Sequence, residues 1–190
     1  GDSHALSAWR EDAFLCRNDG QTLNGAINTG FDSWVDRFND GNLDFIRTYF
    51  GNIDIRHHIC RLAKEKSEQR KITKELVKRY FSELSKIRDK YEIENIEVVA
   101  ALPIENETRK LPKTGYYKGQ PFWGSWQERD SVHQAFNQYC DILCENLGFK
   151  FITWPLDFYN ENSELGFENM EKPRSVHITP RRYLWEAFGE

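Results

Sequence analysis

The residues of this chain that could do covalent chemistry begin at its first four positions, Gly1-Asp2-Ser3-His4. If this turn follows a strand and opens a helix, the glycine permits close backbone approach and the helix N-terminus favours negative charge near the Ser3 oxygen. A serine hydroxyl alone is inert. Acyl transfer needs a base to take its proton and donors to hold the oxyanion. Histidine stands at positions 4, 57, 58, 133 and 177. His4, His57, His58 and His133 read as structural or surface residues. His57, His58 and Cys60 have the types of metal ligands, but no second cluster of suitable spacing completes a site. Neither a metal nor a cofactor is expected.

The elements that must position such groups can be read from the apolar pattern. Four runs have strand character: residues 13–17 (AFLCR), 43–51 (LDFIRTYFG), 95–103 (NIEVVAALP) and 149–155 (FKFITWP). The third is unbroken enough for a parallel strand covered on both faces. Between them, Leu76, Val77, Tyr80, Phe81, Leu84, Ile87 and Tyr91 recur at helical spacing after Thr73, a predicted N-cap. Val132, Phe136, Tyr139, Cys140, Leu143 and Leu147 repeat the pattern, and Gly148 supplies the stop. Alternating strands and helices predict one α/β domain over residues 1–190, a three-layer α/β/α sandwich on a central parallel sheet. In such sheets ligands bind beyond the carboxyl ends of the strands.

Composition narrows the function classes. A formal net charge of −4, with Lys64 to Lys90 interrupted by Glu65, Glu68, Glu75 and Glu83, describes a solvated helix face and not a nucleic-acid footprint. No apolar run approaches the ~20 residues of a membrane span. The four cysteines lack paired metal spacing, and no signal peptide is present in these residues, so a reduced, cytoplasmic setting is expected.

Four short blocks, GDSH at 1–4, GQT at 20–22, FGNIDIR at 50–56 and SVHIT at 175–179, occur in the order of the sequence blocks of SGNH (GDSL-like) hydrolases. The chain resembles that superfamily, and its GDSHA and FG-x-ID-x-R blocks resemble a branch associated with glycan modification. The resemblance implies a flavodoxin-like sandwich in which Ser3 is the nucleophile and His177 its base. It implies an oxyanion hole from the N–H groups of Ser3 and Gly20, with Gly25 as the other reading of GQTLNG. The third block normally reads Gly-x-Asn-Asp. Here the amide stands one place earlier, making Asn52 the candidate third donor and Arg56 a flanking candidate for substrate binding. The aspartate expected three residues before the histidine is Arg174, so Glu171, Asp157 or a backbone carbonyl would have to take its place.

In the resembling fold a buried strand runs into the GDS turn. The expectation is therefore that a segment ahead of Gly1, or a partner chain, completes the sheet. Residues 104–130 have neither helical nor strand period and are rich in aromatics, the signature of a binding loop. Tyr117, Trp123 and Trp126 are candidates for stacking on a sugar. The expected function is an esterase that removes acyl groups, above all acetyl, from a carbohydrate or other small ester. An O-acyltransferase on the same site and a non-catalytic glycan- or protein-binding module are the alternatives.

Overall fold

A computed structural model of the chain describes residues 1–9, 13–38, 43–105, 113, 118–119, 122–171 and 176–179. Three strands, β1 (Phe45–Tyr49), β2 (Asn95–Val99) and β3 (Lys150–Ile152), pair in parallel in the order β1-β2-β3. Phe45 lies opposite Asn95 and Tyr49 opposite Val99, while Val99 also lies opposite Ile152. The longer helices among the described residues are α1 (Leu23–Thr29), α2 (Lys66–Tyr91) and α3 (Trp126–Leu147).

Side chains alternate across the sheet. Ile96 and Val98 join Val77, Leu84, Phe136 and Cys140 of α2 and α3 in one core cluster, so these two helices cover one face. Complete burial of a residue such as Leu84 is worth roughly 1.5–3 kcal/mol. On the other face Tyr49, Val99 and Ile152 pack with Ala5 and Ala8 of a single 3-10 turn, and with Trp154, Phe158 and Ile178. The chain is an α/β fold built on a central parallel sheet, as expected. Among the described residues no helix is long and apolar enough to cross a membrane.

The helix starts differ from the pattern reading. α2 begins at Lys66, ahead of Thr73, and Thr73 is buried mid-helix with its hydroxyl donating to the Gln69 carbonyl at 2.7 Å. Its hydroxyl satisfies itself against the preceding turn, so it needs no role as a cap. α3 starts with a capping box in which Ser125 Oγ accepts from the Glu128 N–H and the Glu128 carboxylate from the Ser125 N–H. The S-x-x-E spacing at 125–128 carried that signal.

The carboxyl end of β1 turns sharply. Gly51 has φ +114°, and a Cβ there would lie 2.6 Å from the Phe136 ring, so only glycine fits. The chain then enters a helical run, Asn52–Asp54, followed by a π turn, Ile55–Ile59.

Residues 13–17 are not a strand. They face β1 across an apolar cleft of about 300 Å³ lined by Phe14, Leu15 and Cys16 on one side and Phe45, Ile46 and Thr48 on the other. Gly1 bridges the end of this cleft: its amino group donates to Cys16 O (2.9 Å) and its carbonyl accepts from Asn18 N (3.0 Å). The Asp2 N–H donates to Tyr49 O at 3.2 Å. These bonds hold the start of the chain between residues 16–18 and the end of β1.

Candidate active site

The turn bearing Ser3 is fixed from within. Asp2 is fully buried, and its Oδ1 accepts from the His4 N–H at 2.8 Å. The Asp2 carbonyl accepts from Ala5 N at 3.2 Å. Beyond His4 the chain makes only the four-residue 3-10 turn Ala5–Ala8, so the expected helix dipole at Ser3 is not present. The turn is held by hydrogen bonds instead.

The histidine reaches the serine from the far end of the chain. Met170 and Ile178 form an antiparallel bridge. Glu171 N donates to His177 O (2.9 Å), and Thr179 N to Asn169 O (3.0 Å). This short pairing presents the His177 ring, whose Nε2 lies 3.0 Å from Ser3 Oγ. On its other side, Nδ1 lies 3.6 Å from Glu171 Oε1, with both side chains about 40 % exposed (42% and 39%). Of the possible substitutes for the aspartate, Glu171 is the one brought to the ring. Arg174 lies outside the described residues.

A neutral ring with its proton on Nδ1, toward Glu171, leaves Nε2 as an acceptor for the Ser3 hydroxyl, and this tautomer suits both contacts. Burial and the neighbouring His4 hold the His177 pKa below its ordinary 6.5, partly offset by Glu171. At neutral pH the ring is the free base that acyl transfer requires.

Of the oxyanion candidates, Gly20 lies in the exposed turn after Asn18, with φ +78°. Among the described residues its N–H meets no acceptor. Gly25 is excluded as the alternative because its N–H donates to Thr22 Oγ1 at 2.9 Å, capping α1. Asn52 is a correction. Its side chain is fully buried, its Oδ1 accepts from Leu102 N (3.0 Å) and from the Tyr49 hydroxyl, and its Nδ2 donates to Leu102 O (3.3 Å). The helical run after Gly51 turns it into the protein, where it ties the end of β1 to the chain after β2.

Arg56 is a second correction. It is 2% exposed and forms a buried ion pair with Glu105 at 2.7 Å, so it supports the site from behind and does not meet substrate. Trp126 packs against the core and donates to Ile104 O at 3.4 Å, which makes it an anchor of α3 and not a stacking platform. Trp123 is 43% exposed, and its N–H donates to Arg56 O at 3.1 Å. It is the described aromatic of this loop that faces solvent. Tyr117 lies outside the described residues.

Two groups escaped the sequence reading. Asp54 caps α1 through Leu23 N (2.7 Å) and Asn24 N (3.3 Å). No local pattern announces a cap delivered from so far along the chain. His4, read as structural or superficial, donates from Nε2 to the Val176 carbonyl at 2.8 Å. Among the described residues no group of three His, Cys, Asp or Glu side chains is placed to hold a metal ion.

No family model matches the chain, and no curated protein matches it. Among solved structures, one from Streptococcus pneumonia described as "a putative platelet activating factor" is similar, with a TM-score of 0.59 and 15% identity. The match covers 99% of this chain and 77% of that one. A likeness at that identity is one of fold; chemistry has to be argued from the site.

Proposed function

We propose that this chain is a serine esterase of the SGNH type. The observation that carries the reading is the 3.0 Å contact between Ser3 Oγ and His177 Nε2, made between the two ends of the sequence. Ser3 Oγ attacks the acyl carbon of an ester while His177 Nε2 takes the hydroxyl proton. The oxyanion is met by the N–H groups of Ser3 and Gly20. Collapse breaks the ester bond, and the leaving alcohol takes its proton from His177. Water then attacks the acyl carbon and gives a proton to His177; the bond to Ser3 Oγ breaks, the carboxylic acid leaves, and His177 returns the proton to Ser3 Oγ. Glu171 steadies the ring and the imidazolium charge from the Nδ1 side.

The part-exposed rim at Ser3 and His177 leaves room for a small acyl group, Trp123 offers an exposed ring, and we take an acetylated carbohydrate as the substrate. The cysteines are free thiols, which accords with a reducing compartment. Hydrolysis of p-nitrophenyl acetate tests the chemistry: Ser3→Ala should lower kcat/KM by at least about 1000-fold. Equal rates in the two proteins overturn the reading.

A further inference from the structure

The carbonyl of Val176, the residue before the histidine, is gripped from two directions. His4 Nε2 donates to it at 2.8 Å and Arg56 Nη2 at 3.5 Å. Neither donor is adjustable. His4 is 2% exposed, and its own N–H and Nδ1 lie 2.8 and 3.3 Å from Asp2 Oδ1. Asp2 in turn is bonded to the end of β1 through Tyr49 O. Arg56, equally buried, is fixed by Glu105. A connected path thus runs from the sheet through Asp2 and His4 to the peptide that carries His177, and the rings of His4 and His177 lie 5.1 Å apart.

We infer that His4 is a positioning residue for the acyl-transfer site: its Nε2–H clamps the Val176 carbonyl and thereby sets the His177 ring against Ser3. The inference rests on the esterase reading. His4 is not itself the base. Its Nδ1 stands 3.5 Å from Ser3 Oγ and also faces the buried carboxylate of Asp2, whereas His177 meets Ser3 at 3.0 Å. A carbonyl can only accept, so the proton on His4 Nε2 is settled whatever the state of Nδ1. The clamp acts on a part-exposed ring whose segment, among the described residues, also pairs with residues 169–171. A displacement of about 1 Å in a reacting group can cost on the order of 100-fold in rate.

The test compares three variants for p-nitrophenyl acetate hydrolysis and for the His177 ring signals in nitrogen-15 NMR. His4→Ala removes the clamp. His4→Gln carries an amide N–H to the place of Nε2, and His4→Asn carries one that reaches Asp2 but stops short of Val176. We expect His4→Ala and His4→Asn to lose about 10- to 100-fold in kcat, with KM within about twofold and the His177 signals shifted or broadened. His4→Gln should recover to within about threefold of the parent. If His4→Ala fails to fold, the Gln and Asn variants decide alone. Equal kcat in those two, or an unchanged His177 signal in His4→Asn, overturns the clamp. A parent that hydrolyses no ester but whose His177 signal responds to His4→Asn and not to His4→Gln supports the clamp while removing the esterase reading.

Discussion

Ser3, His177 and Glu171 meet at a half-open rim, where contacts range from 3.0 to 3.6 Å and the imidazole and carboxylate are about 40 % exposed (42% and 39%). Tyr49, Asn52 and Asp54, at the end of β1, are instead sealed from solvent, and every polar atom of the Asn52 side chain has a partner. Ser3, His177, Asn52 and Asp54 all stand in the short sequence blocks, so block membership alone does not separate the two clusters. Placement does. Polar groups that face inward carry the strand ends, where a missing partner leaves a buried donor or acceptor unmet. Groups at the rim keep water within reach and can change protonation state.

The comparison breaks most visibly at Asn52. Asn52→Ala removes the acceptor of the Tyr49 hydroxyl and the donor to Leu102 C=O in a site closed to water, and leaves Leu102 N–H only its 3.2 Å bond to the Tyr49 hydroxyl oxygen. At about 1–3 kcal/mol for each of these two unmet groups, with some relaxation, we expect a loss of about 2–4 kcal/mol in unfolding free energy by urea titration. Were Asn52 an oxyanion donor instead, the variant would keep its stability and lose turnover.

Asp54 sharpens the contrast through pH. Burial pushes its carboxyl from 3.8 up to about 6, although the N–H groups of Leu23 and Asn24 pull the other way. A folded-state pKa above the unfolded one means the native protein binds the proton more tightly. Its stabilising contribution is therefore complete below about pH 3.8 and is lost as pH rises to about 6. Relative to Asp54→Asn, the parent should lose about 2 kcal/mol of stability between about pH 4 and 7. A flat difference would mean that the two capping N–H bonds fully offset burial.

Legibility in the sequence divides along the same line. α2 and α3 were readable because burial of one face imposes a helical period on the apolar residues, and β1, β2 and β3 because buried parallel strands are short apolar runs. Ser3 and His177 were readable as block residues. The orientation of Asn52 was not, because it depends on the helical run after Gly51, and a one-place shift in the block says only that the amide has moved. The His4 grip on Val176 could not be read at all: one of its two partners is a backbone carbonyl, which has no letter. Glu171 was one of several substitutes for the missing aspartate, and only the pairing of residues 169–171 with 177–179 selects it.

Glu171 itself gives the smallest expected effect. In serine proteases the carboxylate behind the histidine is buried, and replacing it by an amide costs about 10⁴ in turnover. Here the carboxylate is 39% exposed and stands 3.6 Å from Nδ1, so water screens the charge and can replace part of its role. Glu171→Gln should therefore lower kcat/KM only about tenfold, the equivalent of about 1.4 kcal/mol. The pH profile supplies the sign. Glu171 raises the His177 pKa against burial and against His4. Removing its charge should move the acid limb of kcat/KM, already below 6.5 in the parent, to still lower pH. A shift upward, or a loss near about 10⁴, would mean that Glu171 acts as a sealed, obligatory member of the site, and the contrast between open rim and closed strand end would fail at its most exposed residue.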